Sequence, residues 1–266
     1  MESGLRHRLL LLPQLNEANA AAIRCKICGA GAAPFDSVDF WKFCAPNPFF
    51  FGFSGIQVPY YRCQVCDFLF TNFCDSWSND DFVQFIYNND YLKVDGEYIQ
   101  ARPERTAMEI SGRLSGCKSA RILDYGSGSG AFVRRMKSLG FADISGFDPF
   151  SEPRRPSGAF DLITAFEVVE HSTDPMQTFS DMRGLLSKSG MILIGQTTQP
   201  SNITEIGGRW WYLAPRNGHV STFSERTFSI IAEKIGLNLH CEFGLYIFFT
   251  AEIMPPVADI LVSSAS

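Results

Sequence analysis

Leu123-Asp-Tyr-Gly-Ser-Gly-Ser-Gly130 is the stretch that decides the fold, because it follows a short apolar run and begins an amphipathic one. This order predicts a β-strand, a tight glycine turn and an α-helix. Glycines at alternate positions let the backbone turn sharply and let a ligand approach main-chain N–H groups that a Cβ would shield. The arrangement is typical of nucleotide-binding domains.

Strand and helix patterns continue to alternate after this turn. The predicted elements are a strand that ends at Asp148, a strand at 160–167, a helix at 175–186, a strand at 191–197, a helix from Ser224 to Gly236, and a strand pair at 237–243 and 245–250. The pattern predicts an α/β fold, a doubly wound Rossmann-like sheet that binds ligands at the carboxyl ends of its strands. An acidic residue such as Asp148, about 20 residues after the glycines, is expected to bind the ribose hydroxyls.

Two C-x-x-C pairs precede this region: Cys25 with Cys28, and Cys63 with Cys66. Four thiolates at this spacing can close a tetrahedral zinc site, and four protein ligands leave no open position for substrate. We therefore predict a small N-terminal module with structural zinc. Buried free thiols or a redox pair are the alternative. Metal binding by free cysteines also favours a reducing compartment, so the protein is expected to be cytoplasmic.

Composition limits the classes of partner. The chain has 266 residues, of which 45% are hydrophobic, enough for a large globular domain and a smaller module. A formal net charge of −5 argues against nucleic acid, whose binding depends on clustered Lys and Arg. No apolar run approaches the roughly 20 residues that span a bilayer, so no membrane partner is expected. A small molecule is the expected partner, and a protein contact through the cysteine module stays open.

The α/β region resembles the class I S-adenosylmethionine-dependent methyltransferases. Their first motif is similar to residues 123–130, the acidic end of their second strand to Asp148, and their fourth strand to residues 160–171. The cysteine module and the segment 210–221, with its Trp-Trp-Tyr and Gly-His, resemble bacterial enzymes that methylate sugars and other small metabolites. The resemblance implies a small-molecule or glycan acceptor, with a sugar or nucleotide sugar hydroxyl favoured.

The resemblance also implies a set of cofactor-binding residues and an order of domains. The cofactor set is Asp124, Tyr125, Gly126, Ser127, Gly128, Asp148, Pro149, Phe166 and Glu167. The expected order is a tail at 1–22, the zinc-binding module at 23–78, a helical linker or cap at 79–116, the methyltransferase domain at 117–250 and a tail at 251–266. Members of the family place a helix and a third strand after the ribose carboxylate. Here only residues 150–159 intervene, so the third strand is predicted to be truncated.

Methylation of a hydroxyl requires a group that removes its proton. His219 is the first candidate for this base, because it follows a glycine in the segment expected to cover the substrate. His171, in the loop after the fourth strand, is the second, and Glu170 can orient either histidine. For each histidine, a packed or helix-capping role is the alternative.

Two other functions fit parts of the sequence. The glycine spacing also satisfies the dinucleotide fingerprint of a nicotinamide-dependent dehydrogenase, although Asp124 and residues 167–171 favour the methyl donor. Alternatively, the zinc module recognises a protein and the α/β domain is a non-catalytic scaffold.

Overall fold

The computed structural model describes residues 23–45, 48, 51–151, 154–242 and 244–250. The predicted tails, 1–22 and 251–266, lie outside these residues. The chain divides into two compact units that alternate along the sequence. Unit 1 takes in the residues up to Gly96, Glu170–Pro175 and Thr197–Thr227. Unit 2 takes in Glu97–Val169, Met176–Gln196 and the residues from Phe228 onward.

In the described residues the strands are β1 (Ile23–Arg24), β2 (Gly31–Asp39), β3 (Gln57–Cys63), β4 (Leu69–Phe70), β5 (Ile122–Tyr125), β6 (Ile144–Phe147), β7 (Phe160–Phe166), β8 (Leu186–Gly195), β9 (Ser221–Thr222), β10 (Asn238–Glu242) and β11 (Leu245–Phe249). The α-helices are α1 (Asn79–Phe85), α2 (Tyr91–Val94), α3 (Ala101–Arg113), α4 (Ala131–Ser138), α5 (Pro175–Leu185), α6 (Ile203–Ile206) and α7 (Glu225–Ile235). Short 3-10 turns lie at Ser115–Cys117, Val169–His171, Gly207–Arg209 and Pro215–Asn217. None of the described helices combines the length and the apolar character that crossing a membrane requires.

Unit 1 is built on an antiparallel sheet with the strand order β1-β2-β3-β4-β9. β9 completes this sheet because Ser221 and Thr222 pair with Phe70 and Leu69 of β4. The core beneath it is aromatic: the buried ring of Phe68 lies 5.0 Å from that of Phe70 and 5.2 Å from that of Phe223. A segment from late in the chain therefore completes both the sheet and the core of the cysteine-containing unit.

Unit 2 contains a six-stranded sheet with the order β10-β11-β8-β7-β5-β6. The pairs β5–β6, β5–β7 and β7–β8 are parallel, and β11 is antiparallel to both of its neighbours. Among the described residues no strand lies between Phe147 and Phe160, so β6 is the edge of the sheet, as the short segment after Asp148 predicts.

Helices cover both faces of this sheet. On one face, Ile110 of α3 and Met136 of α4 share a buried cluster with Leu162 of β7. On the other face, the ring of Phe228 of α7 lies 6.2 Å from that of Phe179 of α5 and 5.8 Å from that of Phe248 of β11. Apolar residues on both sides of the strands are typical of a doubly wound sheet. The predicted α/β fold class is confirmed.

One element differs from its prediction. The helix predicted at 175–186 ends at Leu185, and the strand predicted at 191–197 is β8, which begins at Leu186. The pairing of β7 with β8 has an irregularity between Phe160 and Leu162, where a Cβ on Gly190 would lie 2.8 Å from the Phe160 carbonyl oxygen. A polar, irregular stretch of this kind carries no period that identifies it as a strand.

Candidate functional site

The glycine turn (residues 126–130) connects β5 to α4 with Gly126, Gly128 and Gly130 all at positive φ. A Cβ on Gly126 would lie 2.6 Å from Cγ2 of Val168, so only glycine fits there. A Cβ on Gly128 would meet no atom within 4 Å. The turn is therefore closed against Val168 on one side and open to a ligand at Gly128.

Asp148 follows the last residue of β6 and faces the glycine turn. Its Oδ2 accepts a hydrogen bond from the Gly128 N–H at 2.9 Å, and its Oδ1 accepts one from the Phe150 N–H at 2.9 Å. A carboxylate offers about four acceptor positions, so these bonds orient the group and leave capacity for two hydroxyls. Binding of the ribose by Asp148 stays a prediction. Pro149 and Phe150 follow it and are exposed, Phe150 by 44%.

Asp124 lies at the end of β5 and is buried, with its Oδ1 accepting a hydrogen bond from the Thr164 hydroxyl at 2.9 Å. Burial raises the pKa of Asp124 to about 7, and the charge on Asp148 adds to the rise while the bond from Thr164 opposes it. An unliganded carboxyl at this depth is stabilised in its neutral form. A bound cationic group would favour the charged form.

The raised pKa predicts a stability that depends on pH. The folded protein binds this proton more tightly than the unfolded chain, where Asp titrates at its ordinary 3.8. The unliganded protein therefore loses stability as the pH rises from 3.8 to about 7, by at most about 4 kcal/mol, and the loss is complete above that window. Asp124→Asn, which keeps an acceptor for Thr164, removes this slope.

Calorimetric unfolding between pH 5 and 8 checks this prediction, with Asp143→Asn as the control. Asp143 is exposed just before β6, and its variant is expected to reproduce the wild-type slope. An equal slope in Asp124→Asn and the wild type would contradict the assignment.

The other predicted cofactor residues of unit 2 lie around the ends of β5 and β7. Phe166 packs against Phe132 at 5.3 Å and against Gly195, where a Cβ would lie 2.5 Å from its ring. Glu167 has a φ of 54°, which is unusual for a residue other than glycine and typical of functional sites. Tyr125 directs its hydroxyl to Asp181 at 3.1 Å, so its main chain is what faces the turn.

Unit 1 brings together the three predicted catalytic residues, which we name the acid–histidine cluster (Glu170, His171 and His219). One ligand atom from each residue lies within 4.8 Å of the others. Glu170 is fully buried, and its Oε1 accepts a hydrogen bond from the Tyr212 hydroxyl at 2.8 Å. The Val220 N–H donates to the Glu170 carbonyl oxygen at 3.0 Å, which ties the two segments that carry the cluster.

Backbone carbonyls set the tautomer of both histidines. Nδ1 of His171 lies 3.1 Å from the Gly218 carbonyl oxygen, and Nδ1 of His219 lies 2.9 Å from that of Tyr212. A carbonyl only accepts, so each Nδ1 carries a proton and donates it. In the neutral ring the lone pair is then on Nε2. The cluster can therefore accept a proton or ligate a metal ion through Nε2.

The four predicted metal ligands also converge in unit 1, with all four sulfur atoms within 4.8 Å of one another. Sγ of Cys25 lies 3.4 Å from that of Cys66, and Sγ of Cys28 lies 3.4 Å from that of Cys63. A tetrahedral zinc site, with Zn–S bonds of about 2.3 Å, separates its sulfurs by about 3.8 Å. The four-cysteine cluster (Cys25, Cys28, Cys63 and Cys66) therefore has the geometry of a metal site.

The two C-x-x-C turns have the same backbone design. Gly29 N–H donates to the Cys25 carbonyl oxygen, and Asp67 N–H donates to the Cys63 carbonyl oxygen, both at 3.0 Å. The residue that follows each pair has positive φ, 79° at Gly29 and 60° at Asp67. The hydrogen bond between the side chains of Cys25 and Cys66 lowers the pKa of the Cys25 thiol and raises that of the Cys66 thiol, so the pair shares one proton.

Sequence reasoning missed two partners of these sites. Thr164 binds Asp124 but occupies an ordinary strand position with no local signal. Tyr212 is buried, and its hydroxyl binds Glu170, a partner that no local signal at 210–212 indicates. Apart from these two partners, Sγ of Cys44 lies 3.7 Å from Nδ1 of His219.

Several solved structures are similar to parts of this chain. An O-methyltransferase family protein from Burkholderia thailandensis is 11% identical, with a TM-score of 0.48 over 66% of this chain and 64% of that chain. An amino pentose methyltransferase from Micromonospora echinaspora is 12% identical, with a TM-score of 0.41 over 56% of this chain and 92% of that chain. Human N-acetylserotonin methyltransferase is 12% identical, with a TM-score of 0.44 over 63% of this chain and 59% of that chain. The chain spans less than two thirds of the first of these proteins.

The comparison with curated proteins finds no match. The family model described as "Methyltransferase domain" matches residues 96–242, which is more than half of the chain and includes the glycine turn, Asp124 and Asp148. The dehydrogenase alternative for this turn is therefore wrong. The chain belongs to the class I S-adenosylmethionine-dependent methyltransferases.

Proposed function

We propose that the protein methylates a hydroxyl group of a small molecule, a sugar or a nucleotide sugar, and that His219 takes up the hydroxyl proton. The acid–histidine cluster carries this proposal, because it joins a buried carboxylate to two histidines whose tautomers are set by backbone carbonyls. General bases of this kind are worth roughly 10²–10⁴ in rate.

The cofactor residues of the proposal belong to unit 2. S-adenosylmethionine supplies a methyl group already activated on a sulfonium. Asp148 binds the ribose hydroxyls, while Asp124 and residues 125–128 surround the methionine part. Glu167 and Phe166 form the wall near the sulfonium. Phe150, which is exposed beside Asp148, is the aromatic surface that we propose for the adenine.

The proton path of the proposal belongs to unit 1. Nδ1 of His219 donates a hydrogen bond to the Tyr212 carbonyl oxygen. This bond keeps the proton on Nδ1, so the lone pair of Nε2 can accept another proton. Glu170 stabilises the imidazolium that forms, and the hydroxyl of Tyr212 keeps this carboxylate oriented. His171 is the second candidate for the base, since its Nδ1 is bound in the same way.

Two further assignments complete the proposal. The four-cysteine cluster holds a structural zinc ion, which its thiolate set and sulfur spacing favour. Trp211, which is 52% exposed and next to Tyr212, offers an aromatic surface for stacking on a sugar ring.

Two measurements in sequence test the function. Calorimetry with S-adenosylmethionine and S-adenosylhomocysteine comes first, and binding of neither would favour the scaffold alternative. A methyl-transfer screen over nucleotide sugars, glycans and small phenols follows, with transfer to a sugar hydroxyl as the expected result. Transfer only to phenols or amines would contradict the proposed acceptor.

His219→Asn is expected to lower kcat by about 10²–10⁴-fold and to leave cofactor affinity unchanged. Asparagine retains a donor for the Tyr212 carbonyl but has no counterpart of Nε2. Single-turnover rates and calorimetry measure the two quantities. His240→Asn in β10 is the matched control, and full activity in His219→Asn would show that another group is the base.

A further inference from the structure

We infer that the acid–histidine cluster is a second metal site, which holds a divalent first-row transition ion through one nitrogen each of His171 and His219 and a carboxylate oxygen of Glu170. The donor atoms already lie within 4.8 Å of one another. Metal–nitrogen bonds of about 2.0–2.1 Å place tetrahedral donor atoms about 3.4 Å apart, so these atoms have to approach by at most about 1.5 Å.

Both histidines have the outer hydrogen bond that metal-binding histidines commonly have. Each Nδ1–H donates to a carbonyl, from His171 to Gly218 at 3.1 Å and from His219 to Tyr212 at 2.9 Å. Such bonds fix the ring orientation and direct the lone pair of Nε2 to the metal. A Cβ on Gly218 would lie 3.1 Å from Nδ1 of His171, so glycine is what allows this approach.

The carboxylate is also held as a ligand would be. Glu170 is fully buried, and the Tyr212 hydroxyl orients its Oε1 at 2.8 Å. The same oxygen lies 3.9 Å from Nε2 of His171. Burial of a carboxylate is costly unless a cation compensates its charge, and a divalent ion between Glu170 and the two rings supplies that charge.

The donor set selects the class of ion. Two imidazoles and one carboxylate suit Zn²⁺, Co²⁺, Mn²⁺ and Fe²⁺ rather than Ca²⁺ or Mg²⁺, which prefer oxygen ligands. Three protein ligands leave positions for water or a substrate oxygen, unlike the four-cysteine cluster. The ion and a proton would compete for the lone pair of His219. This competition is the only part of the inference that rests on the proposed function.

The test is a count of Co²⁺ ions per chain by equilibrium dialysis and elemental analysis of the untagged, full-length protein. Glu170→Gln keeps an acceptor for Tyr212, and His171→Asn keeps a donor for Gly218, but each removes a ligand. Both variants are expected to bind one ion fewer than the wild type. His240→Asn, a histidine outside the cluster, is expected to bind as many ions as the wild type.

The count needs neither cofactor nor acceptor, so its outcome is independent of methyl transfer. The difference between wild type and variants is also independent of how full the four-cysteine cluster is. An unfolding temperature close to that of the wild type shows that the variants are folded. Equal counts in the wild type, Glu170→Gln and His171→Asn would overturn the site.

Discussion

Cys66→Ser is expected to release the proposed zinc ion and unfold unit 1. Cys66 is fully buried and lies 3.4 Å from Cys25 in the four-cysteine cluster. Structural zinc contributes about 10–16 kcal/mol in small metal-binding domains, which is comparable to the roughly 5–15 kcal/mol that stabilises a whole domain. Loss of the ion would therefore remove a free energy as large as the whole stability of a typical domain.

Tryptophan fluorescence is the measurement, because all four tryptophans lie in unit 1. They are Trp41, Trp77, Trp210 and Trp211. Trp77 and Trp210 are buried, so unfolding shifts the emission to the red. Cys241→Ser is the control, since Cys241 is exposed in β10 of unit 2. Wild-type emission in Cys66→Ser, together with a retained zinc ion, would contradict the structural role.

Gly126→Ala is expected to weaken binding of S-adenosylmethionine by about 100-fold or more. Alanine at a φ of 76° costs about 1–2 kcal/mol, and its Cβ would lie 2.6 Å from Val168, an overlap that costs about 1–3 kcal/mol more. The turn moves to relieve this overlap, and its main chain no longer fits the ligand. A change of about 3 kcal/mol corresponds to roughly 100-fold in affinity.

Two variants separate the effect of the positive φ from the effect of the overlap with Val168. Gly140→Ala has a φ of 94° but only an ordinary contact with the Lys118 side chain at 3.5 Å, so it is expected to bind the cofactor normally. Gly126→Ala with Val168→Ala removes the overlap and is expected to recover part of the affinity. Calorimetry measures all three. Wild-type affinity in Gly126→Ala would exclude the turn as the cofactor site.

Features set by neighbouring residues were predictable. The glycine turn needs only the backbone freedom of residues 126–130, and each C-x-x-C turn is closed by bonds within five residues. The helix α7 begins where the Ser224 hydroxyl accepts the Thr227 N–H at 3.1 Å, and it ends before Gly236 at a φ of 68°. Such signals depend only on neighbouring residues, so a single sequence is enough to identify them.

The sequence by itself determined the α/β fold class, the glycine turn with Asp148, and the convergence of four cysteines. Only the tertiary structure decided that residues 170–175 and 197–227 belong with the cysteine-containing unit. It also decided that Tyr212 orients Glu170 and that Thr164 binds Asp124. These contacts join residues about 40 positions apart, and their formation depends on buried area and backbone pairing across the whole chain rather than on any local period.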